Sequence, residues 1–293
     1  MFFPNRVQFL STYYRRQSFA FPDPIMEYIA KNPQFAEDYQ KLIESCKYFF
    51  IKNPILVIRD LRYNSGKGWE MRSSISDGWK KIDMNKLSSR VWITDSLDVN
   101  ATTSDDRYVL HLMVPKIDEC QAERLKLVKQ DIFYEELDFL GTFAKYVYLK
   151  GSVVEYQNGK NVELEKIVQM CPTARKIIFP LDSVISAKTV KELLNLPHFS
   201  RLNSFKIFNV PEDFDIESFF AFIKTNNHTR IRLEFAETIS EDYKARLDAV
   251  ITEIFETEEH DYKLPWIDYP GIDATNGLKL LVAQFLDFHG IHL

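Results

Sequence analysis

Three cysteines in 293 residues, Cys46, Cys120 and Cys171, are too few and too widely spaced for a disulfide framework or a cysteine-based zinc site, and they fit a reducing compartment. No run of lysine and arginine appears anywhere, and the formal charge of −5 argues against a nucleic-acid binder, which needs a basic face to displace counterions. No apolar run reaches the length that spans a bilayer, so no membrane partner is expected. The opening "MFFPNRVQFLSTYYRRQSF" is broken by Pro4, Arg6, Arg15 and Arg16 before a signal-peptide core can form, and the chain reads as intracellular, cytoplasmic or nuclear.

The signatures of chemistry are also missing. Gly66-Lys67-Gly68 lacks the spacing and the following hydroxyl of a phosphate loop, and no H-E-x-x-H or G-x-S-x-G pattern occurs. His289 and His292 are three apart, but Gly290 interrupts the helix that ligation at that spacing needs. The expectation is a protein without catalytic activity, cofactor or metal.

What the chain does have is apolar and aromatic material, 45% and 14% of residues, enough for a large core. Some of it crowds into "FPDPIMEYIAKNPQFAEDYQKLIESCKYFF", residues 21 to 50. Asp23 is placed to cap a helix opened by Pro24, with Ile25, Met26 and Ile29 on one face. After Asn32-Pro33, the residues Phe35, Tyr39, Leu42, Ile43, Cys46, Phe49 and Phe50 recur at helical steps, predicting one second helix that ends at Lys52-Asn53-Pro54. A stripe this wide must be covered, by its own chain as an ordinary capping hairpin or by a partner.

Phe21-Pro22, the spaced Ile25 and Ile29, then Leu42-Ile43 and the closing Cys46-Lys47-Tyr48-Phe49-Phe50 resemble an F-box. "NPQFAEDYQKLIESCKYFFIKNPILVI" and "KTVKELLNLPHFSRLNSFKIFNVPEDFDIESFFAFIKTN" are similar to the large nematode-expanded F-box family, and the likeness extends over most of the chain. Phe21 stands where leucine is usual, Phe49 where tryptophan is usual, and "AKNPQFAEDYQ" lacks the usual acidic-leucine turn. The resemblance implies a helical module that docks a Skp-family adaptor and links a protein substrate to a cullin ubiquitin ligase. Phe21, Pro22, Ile25, Ile29, Leu42, Ile43, Cys46, Phe49 and Phe50 are the adaptor-binding candidates.

Beyond "ILVIRDLRY", Gly66, Gly68 and Gly78 punctuate a hairpin-like connector whose Trp69 and Trp79 are expected to cover the seam between domains. From residue 91 strand-like and helix-like runs alternate, predicting parallel strands at 91–94, 125–128, 146–149, 176–179, 205–208 and 231–235 with helices between them. Successive starts are 34, 21, 30, 29 and 26 residues apart, close to the ~20–29-residue unit of a leucine-rich repeat. A long helix capped by Ser240, with Tyr243, Leu247, Val250, Ile251, Ile254 and Phe255 buried, is expected to close the array. The segment 234–261 is rich in Asp and Glu, which reads as a solvated helix face or a dock for a basic target.

The expected fold class is therefore mixed α/β. Its parts are a tail over 1–18, an F-box-like helical module over 19–60, a connector hairpin over 61–90, an irregular leucine-rich-repeat-like solenoid of parallel strands and outer helices over 91–257, and an extension over 258–293. The expected function is substrate recognition for a Skp/cullin ubiquitin ligase, with a scaffold carrying a decayed F-box as the alternative. Tyr262, Trp266 and Tyr269 in the extension are the candidate substrate contacts.

Overall fold

The computed structural model describes residues 18–180, 184–257 and 259–288. The expected 1–18 tail lies, except for Ser18, outside the described residues, as do His289 and His292.

Among the described residues three short helices come first: α1 Asp23–Lys31, α2 Ala36–Ser45 and α3 Lys47–Lys52. Asp23 is the first residue of α1 rather than its cap, and the Pro22 carbonyl accepts the amides of Ile25 and Met26 instead. Its carboxylate still sits in the first turn, where the helix dipole favours it. The single helix expected from Phe35 to Phe50 is two helices, because Cys46 is extended at φ −152° and ψ 124°. Its Sγ accepts the Tyr48 amide at 3.3 Å and so starts α3. Beyond that break Phe49 packs inward onto Met26 and Ala30.

The helical segment stops at Lys52, and residues 55–60, expected within it, already belong to strand β1, Ile55–Asn64. The strands β2 Gly68–Arg72 and β3 Lys80–Lys81 follow antiparallel. Gly66 and Gly68 take positive φ values of 82° and 77° in the turn, a backbone conformation in which a β-carbon is strained. The remaining elements are β4 Arg90–Asn100, α4 Val109–Met113, β5 Ile117–Cys120, β6 Arg124–Val128, β7 Asp131–Phe133, α5 Tyr134–Gly141, β8 Tyr146–Lys150 and β9 Val153–Glu155. After them come α6 Leu164–Gln169, β10 Lys176–Pro180, α7 Thr189–Asn195, β11 Ser204–Val210, α8 Ile216–Thr225, β12 Arg230–Phe235, α9 Glu241–Glu256, β13 Trp266–Asp268 and α10 Ala274–Phe288.

All six strands expected after residue 91 are present, and each is parallel to its neighbours. The strands β1, β4, β6, β8, β10, β11, β12 and β13 lie side by side in chain order, while β2 and β3 extend the β1 edge. β5 pairs with β4, and β7 pairs with β9 in a separate two-stranded sheet. The protein is thus mixed α/β, with a largely parallel central sheet. Because parallel crossovers are right-handed, an order without reversals carries the intervening helices to one face. Leu97, Leu125, Val147, Ile177, Phe205 and Ile231 form one inward row, and α4 to α9 pack their apolar stripes over that side in a continuous core.

Three expectations change. Ser240 caps α9 as expected, its Oγ accepting the Tyr243 amide, but α9 does not close the array, because β13 adds a further parallel strand beyond it. Trp79 does not cover the helix–sheet seam; it stacks under Arg62 at 3.8 Å and Arg72 at 5.0 Å. Trp69 packs on Tyr63 and the main core. The seam belongs to Trp92, which is fully buried with Ala36, Tyr39, Ile55 and Val57.

Candidate interaction surfaces

The α1–α3 segment has a small core of its own, Met26, Ala30 and Phe49, flanked by the half-buried Ile29, Leu42, Ile43 and Cys46. Ile43 also touches the cluster that joins α2 to the sheet. The adaptor-binding candidates are therefore divided. Phe49 is 5% exposed and belongs to the interior; Phe50 is half-buried. Phe21 and Ile25 are 60% and 46% exposed, and Pro22 is also exposed. Tyr28, 68% exposed, follows Ile25 at i+3 on α1, while Phe21 lies in the approach to the helix, before Pro22. Phe35 projects at the start of α2. The sequence stripe did not single out Tyr28, because burial divides a helix by its neighbours rather than by its own period.

The second surface is the sheet face opposite α4–α9. Its residues alternate with the inward ones along the strands, and the registers align them in rows. One row runs Lys81, Glu70, Arg62, Asp98, Lys126, Tyr148, Ile178, Lys206, Arg232 and Trp266, across the whole sheet. A second runs Arg72, Asp60, Ser96, Arg124, Tyr146, Lys176, Ser204 and Arg230. At the β1–β4 end the charges are matched. Arg62 Nε donates to Glu70 at 2.9 Å, Lys126 to Asp98 at 3.0 Å and Arg124 to Asp95 at 2.9 Å. The fully buried Asp60 carboxylate accepts from Arg72 Nε at 2.5 Å and from the Ser96 hydroxyl. Burial alone would raise the Asp60 pKa, but these bonds lower it on balance.

At the β10–β13 end the face is aromatic and basic. The Lys176 ammonium lies 5.3 Å from the Tyr146 ring, and Arg232 lies between the rings of Phe208 and Trp266 at 5.6 and 4.9 Å. Trp266 is thus part of the sheet face. The other two tail candidates are not. Tyr262 packs against Phe220 and His260, and Tyr269 is only 4% exposed, its hydroxyl donating to Asp248. Both aromatics fill gaps beside α8 and α9. Neither Lys176 nor Lys206 was singled out from sequence, since strand faces exchange on a one-residue slip and register is not visible locally.

Among the described residues, no three His, Cys, Asp or Glu side chains are grouped to hold a metal ion, and no helix is long and apolar enough to cross a membrane. No protein-family model and no curated protein matches this chain.

Proposed function

We propose that the chain is a substrate-recognition subunit of a Skp/cullin-type ubiquitin ligase, with an F-box-like module followed by an irregular leucine-rich-repeat-like solenoid. The helices α1–α3 dock the adaptor, and the open sheet face receives the protein target. The observation that carries the reading is the division of α1 and its approach: Met26 and Ala30 are buried, while Ile25 and Tyr28 on the helix, and Phe21 just before it, stand outward. Large apolar side chains exposed on a helix and at its entry suit a groove on a second polypeptide. The F-box-like residues lie on the same segment, and the uninterrupted parallel strand order agrees with a stack of repeated strand–helix units.

Capture of a purified Skp-family adaptor by the full chain tests this. Phe21→Asp with Ile25→Asp should abolish capture and leave the fold intact, whereas Phe49→Asp should unfold the α1–α3 segment itself. An unmodified chain that captures no adaptor leaves the second reading: a protein-interaction scaffold that uses the same sheet face without recruiting a ligase. That reading is favoured by Phe49, which is turned into the interior rather than toward a partner.

A further inference from the structure

The open sheet face is electrostatically uneven. Over β1, β2, β4 and β6 each cation meets an anion. At Lys176 on β10 and Lys206 on β11 that matching stops among the described residues. Lys206 lies directly opposite Arg232 and diagonal to both Lys176 and Arg230. Like charges facing each other across a strand pair destabilise a sheet. Glu234 is engaged by Arg232 Nε at 2.7 Å, and neither Lys176 nor Lys206 has a carboxylate at ion-pair distance among the described residues. Burial first, then the repulsion of Lys176, Arg232 and Arg230, lower the Lys206 pKa and outweigh the attraction of Glu234, which lies beyond ion-pair distance.

Two further polar groups lie in the same half without a hydrogen-bond partner. They are the buried Ser204 hydroxyl, in register between Lys176 and Arg230, and the Trp266 indole N–H, beside Arg232. Buried polar atoms left unpaired cost stability; Arg59 Nε, Trp92 Nε1 and Asp98 Oδ1 lack a hydrogen-bond partner at the other end too, but here the unpaired groups accompany Lys176 and Lys206, which have no ion pair among the described residues.

We propose that this half of the sheet face binds a short acidic segment of a partner protein, with carboxylates on Lys176 and Lys206 and an aromatic or aliphatic side chain against Trp266 and Phe208. Four interstrand steps from β8 to β13 span about 19 Å, the reach of about six extended residues at ~3.3 Å each. A long polyanion fits less well. Glu234 and Asp268 close one border of the patch and the Asp98–Lys126 pair another, so a continuous phosphate backbone would meet carboxylates on leaving it. The proposal rests on the reading of the open face as the target surface and is independent of adaptor docking.

Fluorescence anisotropy of the full chain tests it with two labelled decapeptides, one of Asp and Glu around a central Leu-Tyr pair, the other with Asn and Gln in place of the acids. The acidic peptide should bind, the neutral one at least about tenfold more weakly, and added salt should narrow the difference. Lys206→Gln should weaken acidic-peptide binding about tenfold, the scale of one charge pair, while its thermal midpoint stays the same or rises because a like-charge contact is gone. That combination separates a binding residue from a structural one. Equal binding of both peptides, no binding, or an unaffected Lys206→Gln variant overturns the proposal. So does tighter binding of a single-stranded oligonucleotide of equal length, or occupation of the face by a second copy, seen as concentration-dependent dimerisation lost in Lys206→Gln. Adaptor capture, scored on the same preparations, reports on the ligase reading alone.

Discussion

Tyr39 on α2 and Asn53 beyond the end of α3 form the joint between the N-terminal helices and the sheet. The buried Tyr39 hydroxyl donates to the Asn53 carbonyl oxygen, and burial pushes its pKa up to about 12. The Asn53 amide donates to the Ala30 carbonyl at 3.1 Å, and its oxygen accepts from Arg90 on β4 at 3.2 Å. One asparagine thereby ties α1, α2 and the first parallel strand pair together. Tyr39→Phe should cost about 1 kcal/mol, since the Asn53 carbonyl keeps the Ile55 amide as a donor. Asn53→Ala should cost about 2 kcal/mol, because it removes both side-chain bonds and leaves the Ala30 carbonyl unpaired. Urea unfolding measures both, and limited proteolysis should cut α1–α3 first in Asn53→Ala.

Gly141, at the end of α5, has no room for a side chain. A β-carbon there would come within 2.9 Å of Cys171 Sγ and 3.0 Å of the Met170 carbonyl oxygen. Gly141→Ala is expected to destabilise by about 1–3 kcal/mol through overpacking. Adding Cys171→Ala should recover only part of the loss, because the backbone oxygen remains; thermal melts of the single and double variants decide it.

His198 is buried, and its Nε2–H donates to the Val168 carbonyl at 2.9 Å. Burial lowers its pKa below the usual 6.5, outweighing that hydrogen bond. Well above pH 6.5 the imidazole is neutral folded and unfolded, so there it contributes no pH dependence. As pH falls through 6.5 toward the lower folded value, the unfolded chain binds the proton first, and stability declines. His198→Gln should flatten this part of the stability–pH curve, read from urea midpoints between about pH 7 and pH 5.

The thiols should separate by burial. Desolvation pushes Cys120 up to about 11 and Cys171 up to about 12, so neither forms a thiolate at neutral pH. Cys46 is half-buried between α2 and α3. A thiol reagent at neutral pH should modify Cys46 alone in the native protein and all three in denaturant, as counted by mass spectrometry. Rapid native modification of Cys171 would contradict the packing around Gly141.

Local pattern alone placed many of the elements and gave their type. Strands β4, β6, β8, β10, β11 and β12 stand where apolar alternation put them, and α9 begins at its Ser240 cap, because strand period and helix capping follow from the local backbone. Contacts between distant segments settled the rest. "ILVIRDLRY" became β1 only by pairing with β4, the helix broke at Cys46 and Phe49 packed onto Met26, and Trp92 rather than Trp79 took the seam. The face of Lys206, and its position opposite Arg232, likewise exist only once register is set. Register is a sum over contacts between distant segments, and no single stretch of chain contains it.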